Sequence, residues 1–142
     1  IIVSSNFQTY IINSETGTIL YKKNFSSTIN PIVNNEYLFL ITKNNFLISM
    51  NLKNGKILYS YNIDQKIADF LNIKKKKVKL KQNMLANDSL FMFLNNSYLL
   101  NFDIRGGLKE IHKNDSSYNS QPILVNNSLL FLDTKNRLRS FN

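Results

Sequence analysis

The chain contains no cysteine and no tryptophan, one histidine, two prolines and only four glycines in 142 residues. The missing cysteines exclude a disulfide, a thiolate metal site and a cysteine nucleophile. With His112 as the single imidazole, a serine-type triad needs partners from outside this chain. His112 stands between Ile111 and Lys113 in an expected outer strand, where an exposed, non-catalytic ring is the simpler reading. The nine carboxylates (Glu15, Glu36, Asp64, Asp69, Asp88, Asp103, Glu110, Asp115 and Asp133) are scattered, and none stand at the spacing of a calcium loop. Gly106-Gly107 lacks the Lys-Ser/Thr and the helix that would make it a phosphate loop. No apolar run reaches the 18 residues needed to suggest a membrane-spanning helix. The residues therefore call for no catalytic, cofactor or metal site.

What the chain does have is a repeated phrase. Asn13-Ser14-Glu15-Thr16-Gly17-Thr18-Ile19-Leu20-Tyr21 returns 38 residues later as Asn51-Leu52-Lys53-Asn54-Gly55-Lys56-Ile57-Leu58-Tyr59. A weaker copy is Asp103-Ile104-Arg105-Gly106-Gly107-Leu108-Lys109-Glu110-Ile111, and a fourth starts at Arg137–Asn142. A period near 40 residues means one supersecondary unit used several times. In each copy a polar residue (Asn13, Asn51, Asp103, Asn142) ends an apolar run. A glycine follows four positions on (Gly17, Gly55, Gly107), and a large apolar residue four further (Tyr21, Tyr59, Ile111). Glycine suits a turn that needs positive φ, and Asn or Asp ahead of it supplies a side-chain turn bond. Asn54-Gly55 is itself a hairpin dipeptide. Each copy reads strand, turn, strand.

Ahead of these phrases lie runs apolar on both alternating faces: Tyr37–Ile41, Leu90–Leu94 and Leu129–Leu132. Such strands are expected to be buried on both faces. Polar pairs bracket them, among them Asn34-Asn35, Asn87-Asp88 and Asn126-Asn127, and Pro31 and Pro122 open the preceding short strands. One repeat is thus four short antiparallel strands, placed for the second copy near 31–34, 36–43, 46–52 and 56–63. Small sheets with two apolar faces are expected to stack radially, as in a β-propeller. The expected fold is all-β, a propeller of four-stranded antiparallel blades near 1–26, 27–64, 65–114 and 115–142. About three and a half blades are expected in it, and the chain is expected to be the C-terminal part of a seven- or eight-bladed ring, or one of two copies that complete a ring. An isolated piece would expose an apolar blade face and unpaired strand edges.

The polar residue, the glycine four on and the aromatic four further resemble the quinoprotein-type (PQQ-like) propeller repeat, Ala-x-Asp-x-x-Thr-Gly-x-x-x-Trp. Asn13, Asn51 and Asp103 match its Asp, and Gly17, Gly55 and Gly107 its Gly. Tyr21, Tyr59 and Ile111 stand where its Trp would be. Without tryptophan the blades look less like the quinone-binding dehydrogenases and more like the non-enzymatic branch. The ending, Gln121–Asn127 and Arg139–Asn142, is similar to that of the BamB family, propeller lipoproteins of the outer-membrane β-barrel assembly machinery. That resemblance implies a binding scaffold without cofactor, at the periplasmic face of the outer membrane, whose protein partner is the barrel-assembly complex. Other readings are a dehydrogenase binding PQQ and Ca²⁺ at the ring's centre, or a ligand-sensing propeller joined to a signalling domain.

The net charge is +9, and Asn (23), Ile (16) and Lys (15) are over-used, as the codons of an AT-rich genome would make them. The densest basic stretch, Lys74, Lys75, Lys76, Lys77, Lys79 and Lys81, falls in an insertion of about 14 residues near 66–81. Gln65–Asn72 just before it is expected to form one or two helical turns, and Val78 and Leu80 the buried side of a strand. The lysines suit anionic partners such as lipid headgroups or acidic protein loops. They also suit a solvated loop that blunts a strand edge. Nucleic acid is not expected, because the chain has three arginines and no aromatic among these lysines.

Overall fold

The computed structural model describes residues 1–27 and 29–141. Asn142, the polar residue assigned to the fourth copy, and Thr28 lie outside the described residues. The chain divides into two compact units, Ile1–Ile63 and Asp64–Asn142. Each is built from two antiparallel sheets.

In the first unit, β1 (Ile2–Ser4), β2 (Thr9–Ile12) and β3 (Ile19–Lys23) form a three-stranded sheet in that order. Next to it, β4 (Ile32–Asn34), β5 (Tyr37–Ile41), β6 (Phe46–Asn51) and β7 (Ile57–Asn62) form a four-stranded meander. Ile11 of the small sheet packs with Leu38, Leu40, Ile48 and Met50 of the large one, with Ile2, Tyr21 and Phe25 at the margin. Leu38, Phe39, Leu40 and Ile41 are all buried, so β5 is covered on both faces, as its uninterrupted apolar run requires.

The second unit opens on α1 (Ile63–Leu71), which starts at the last residue of the first unit, two residues earlier than the sequence suggested. An irregular stretch follows, and then β8 (Leu80–Ala86), β9 (Ser89–Leu94), β10 (Tyr98–Asp103) and β11 (Leu108–Lys113). β8 begins only at Leu80. Val78 is not part of it; its N–H donates to Asp64 Oδ1 at 3.0 Å. A last sheet comprises β12 (Ile123–Val125), β13 (Ser128–Leu132) and β14 (Leu138–Phe141). Phe93 and Leu99 pack against Leu129 and Phe131 with Tyr118 among them. The expectation of two buried faces does not hold for β13. Leu129 and Phe131 are buried, but Leu132 is 38 % exposed, since only one face of this sheet meets β8–β11. The chain is all-β apart from α1, and its four antiparallel sheets of three or four strands have the form of propeller blades.

A chain with so little glycine still has to turn tightly. Among the described residues nine non-glycine residues have positive φ, and seven of them are asparagine. Asn tolerates the left-handed region because its short amide bonds locally. Asn87-Asp88 and Asn126-Asn127 are two-residue hairpin loops with both φ values positive, as a type I′ turn demands. The over-use of Asn therefore carries structure, whatever its codon origin. Replacing Asp88 (φ +56°) by Val is expected to cost about 1–2 kcal/mol, and by Gly nothing or less, in chemical denaturation. Equal effects of the two substitutions would contradict this account.

Candidate functional site

The repeat motif builds the same turn in its first two copies. Asn13 Oδ1 accepts from the N–H groups of Glu15 (2.8 Å) and Thr16 (3.1 Å), while its carbonyl accepts from Gly17 N–H at 3.0 Å. Asn51 does the same with Lys53 (2.8 Å), Asn54 (3.2 Å) and Gly55 (2.9 Å). Gly17 and Gly55 have φ of +71° and +68°. The Asn54-Gly55 pair is thus part of a longer turn anchored at Asn51, and Asn54 itself is not at positive φ. Just beyond each turn the ladder skips one residue, Leu20 in β3 and Leu58 in β7. Such a bulge re-aims the side chains that follow it, here Tyr21 and Tyr59.

The third copy departs from the spacing read in the sequence. Asp103 Oδ1 accepts from Arg105 (2.8 Å) and Gly107 (3.0 Å), but its carbonyl takes Gly106 N–H at 2.9 Å, and the positive φ of +83° belongs to Gly106. The turn is one residue shorter. Gly106 therefore occupies the place of Gly17 and Gly55, and Glu110, opposite Asn101, the place of Tyr21 and Tyr59. Gly107 is needed for another reason: a Cβ there would lie 2.7 Å from Asp103 Oδ2. Ile111 instead lines a cavity on the other side of β11.

The role of the motif tyrosine is visible in the first unit. Tyr21 lies flat over Gly55, where a Cβ would come within 2.5 Å of its ring. Its hydroxyl donates to the Lys53 carbonyl at 2.6 Å, and Lys23 Nζ donates to the Gly55 carbonyl at 2.7 Å. The last strand of one sheet thereby clamps the motif turn of the next. Tyr59 stacks on Tyr61 with ring centroids 5.1 Å apart. Glu110 faces a cleft of about 250 Å³ that also contains Asn101, whose buried Oδ1 has no partner among the described residues.

A fourth turn of this design was not legible as such. Asp133, at the end of β13, is fully buried. Its Oδ1 accepts from Lys135 (2.8 Å) and Arg137 (3.0 Å) N–H. Its Oδ2 accepts from the guanidinium groups of Arg137 (2.8 Å) and Arg139 (3.1 Å), and Asn136 at φ +56° takes the glycine's place. Asp103-Ile104-Arg105-Gly106 and Asp133-Thr134-Lys135-Asn136 share one grammar, an acid followed three residues on by a positive-φ former, and that was the available signal. Burial alone would raise the Asp133 carboxyl. The Arg137, Lys135 and Arg139 hydrogen bonds outweigh it and hold the group well below the usual carboxylate range. Beside it, Tyr118 is packed edge-on to Phe93 (4.8 Å) and against Phe131 (4.6 Å), and burial pushes its phenol up despite a hydrogen bond from Asn114.

The basic residues separate into two groups. Lys74, Lys75, Lys76, Lys77 and Lys79 are exposed in the irregular stretch, and none of the ion pairs among the described residues involves them. Lys81 belongs to β8, and its ammonium donates to the Tyr118 carbonyl, so it braces two segments of the second unit. Lys74 and Lys76 rim a cavity of about 270 Å³ whose walls include Ile67, Leu71, Leu94 and Leu100. His112 is half-exposed in β11, with Nδ1 3.0 Å from Glu110 Oε1 and its ring edge-on to Phe141. Among the described residues no three His, Asp or Glu side chains are grouped to hold a metal ion. Among the described residues no helix is long and apolar enough to cross a membrane.

Two predictions follow from the turns. Gly55→Ala should destabilise the protein by more than the roughly 1–2 kcal/mol of left-handed strain expected for Gly17→Ala, which meets no neighbour within 4 Å. In a Tyr21→Ala background the excess should vanish; a double-mutant cycle by denaturation measures it, and strict additivity would refute the clamp. Asp133 should contribute stability in full above about pH 4, the unfolded value, and lose it as pH falls toward its depressed folded value. Stability curves of the parent and Asp133→Asn should therefore converge on acidification; a gap independent of pH would be the contrary result.

No family model matches the sequence, and no curated protein matches it. Solved structures do. BamB from Moraxella catarrhalis superposes over 98 % of this chain with a TM-score of 0.70 at 10 % identity. The computationally designed Ika4 protein superposes over 99 % with a TM-score of 0.67 at 9 % identity. The chain spans 41 % of that BamB chain and 82 % of the Ika4 chain. At such identities the likeness is one of fold, the sheets of a BamB-like propeller.

Proposed function

We propose that this chain is a non-enzymatic binding scaffold, a BamB-like component of the outer-membrane β-barrel assembly machinery, acting at the periplasmic face of that membrane. The observation that carries the reading is the match to BamB over 98 % of the chain, joined to turns whose leading Asn or Asp side chain is committed to holding the backbone. Rigid sheets with locked turns suit a protein that positions partners rather than one that transforms a substrate. Partner binding would use the turns and an exposed strand edge that adds backbone hydrogen bonds to an incoming strand.

Within this proposal the blades run near 1–26, 27–64, 65–114 and 115–142, with the insertion near 66–81. The proposal includes a ring of seven or eight blades completed by further residues of the same polypeptide or by a second copy; the chain spans 41 % of the BamB chain it matches. In this proposal Asn13, Asn51 and Asp103 set the turns, and Tyr21 on Gly55 sets how one sheet meets the next.

The test is affinity capture. Tagged protein, presented to detergent-solubilised outer membranes of its own source, is expected to retain the barrel-assembly complex, identified by mass spectrometry. Folded protein that retains none of it, or that changes the absorbance of added PQQ with Ca²⁺, would overturn the scaffold reading in favour of another class.

A further inference from the structure

The segment from the end of α1 to β8 combines two features that the fold does not use. Phe70, Leu71 and Ile73 are 49 %, 41 % and 52 % exposed, as are apolar residues on several strands, but here they adjoin a run of lysines. Directly after them come Lys74, Lys75, Lys76, Lys77 and Lys79, all exposed and in no regular element. No acidic residue occurs between Asp69 and Asp88, so the positive potential of this stretch is not cancelled along the chain. Asp64, at the start of α1, ties the far end of the segment back through Val78 N–H at 3.0 Å, which makes it a tethered loop and not a free tail.

We propose that this segment docks on an anionic lipid bilayer surface, with the five lysines among the headgroups and Phe70, Leu71 and Ile73 at the acyl boundary. The chemistry separates this occupant from other anions. A lipid surface presents diffuse charge that asks for no fixed donor geometry, and flexible ammonium groups on an irregular backbone meet it well. Bidentate recognition of carboxylates or phosphates by a folded partner favours arginine, and the segment has none. Nucleic acid would call for aromatics interleaved with the charges, and here no aromatic stands among the lysines; Phe70 precedes them. Apolar side chains next to a polybasic run are what an interfacial anchor uses, with electrostatic attraction and shallow burial acting together. The proposal stands apart from the barrel-assembly reading, since it needs no protein partner.

The test is co-sedimentation of the purified chain with vesicles of phosphatidylcholine, with and without phosphatidylglycerol. Binding is expected only to the anionic vesicles at about 0.1 M salt and should be released at about 1 M, where the Debye length falls to roughly 3 Å. Replacing Lys74, Lys75, Lys76 and Lys77 together by Gln should weaken binding at least about tenfold. Leu71→Ser with Ile73→Ser should weaken it further without removing its salt dependence. A control removing as many charges elsewhere (Lys22, Lys109, Lys113 and Lys135 to Gln) should bind like the parent. Unchanged melting curves verify that each variant is folded. The proposal is overturned if anionic vesicles do not bind, or if the control loses as much as the segment variant. It is equally overturned if soluble polyglutamate competes the chain off the vesicles, which would point to an acidic protein.

Discussion

A single side-chain oxygen holds the reversal of the chain at the three repeat-motif turns and at the turn after β13. Asn13, Asn51, Asp103 and Asp133 each accept two backbone N–H groups that the turn would otherwise leave without a partner. Unpaired polar backbone is costly wherever water is excluded, and a short polar side chain just ahead of the turn is the local remedy. The remedy also fixes where the chain reverses. Once that position is set, the residue three or four places on must accept positive φ, and Gly17, Gly55, Gly106 and Asn136 do so. At the three repeat-motif turns the residue skipped in the ladder re-aims the side chains that follow, whereas β14 pairs with β13 without a skip.

This order of dependence accounts for what the sequence disclosed and what it withheld. The strands of the second copy fall within two residues of where alternation and turn residues put them, because β5 and β6 are apolar enough to be read on either face. The helix was visible as a lapse in alternation, though its start was not, since Ile63 is apolar in a strand or a helix alike. The third copy misled, because a fixed interval of four was assumed where the turn had lost a residue. Two adjacent glycines, Gly106 and Gly107, left the choice open, and only backbone geometry distinguishes the one at positive φ from the one pressed against Asp103. Asp133 was unreadable as a buried ion because its guanidinium partners, Arg137 and Arg139, look in sequence like two more surface charges of a basic chain.

The candidate site was legible in an uneven way. Lys74 to Lys77 stand out in any reading of composition, whereas Lys81 looks like one of them and is in fact committed to the Tyr118 carbonyl. A lysine's neighbours in sequence say little about the reach of its four-carbon stem, which decides whether its charge is offered to solvent or used inside. Conversely, exposure of Phe70, Leu71 and Ile73 is not evident from a pattern that would serve equally well in a core helix.

The Tyr21–Gly55 contact extends beyond the stability of one hairpin. The two positions belong to different sheets and are 34 residues apart (55 − 21), yet the size allowed at one is decided by the ring at the other. Drift from tyrosine to a smaller residue at 21 would release 55 from its steric bar, though not from its backbone angle. Substitution at 55 in the presence of the ring is closed. Correlated change between positions 21 and 55 is therefore built into this contact, and an evolutionary profile that averages the repeats one at a time would register both residues as merely common, missing that each is permitted by the other.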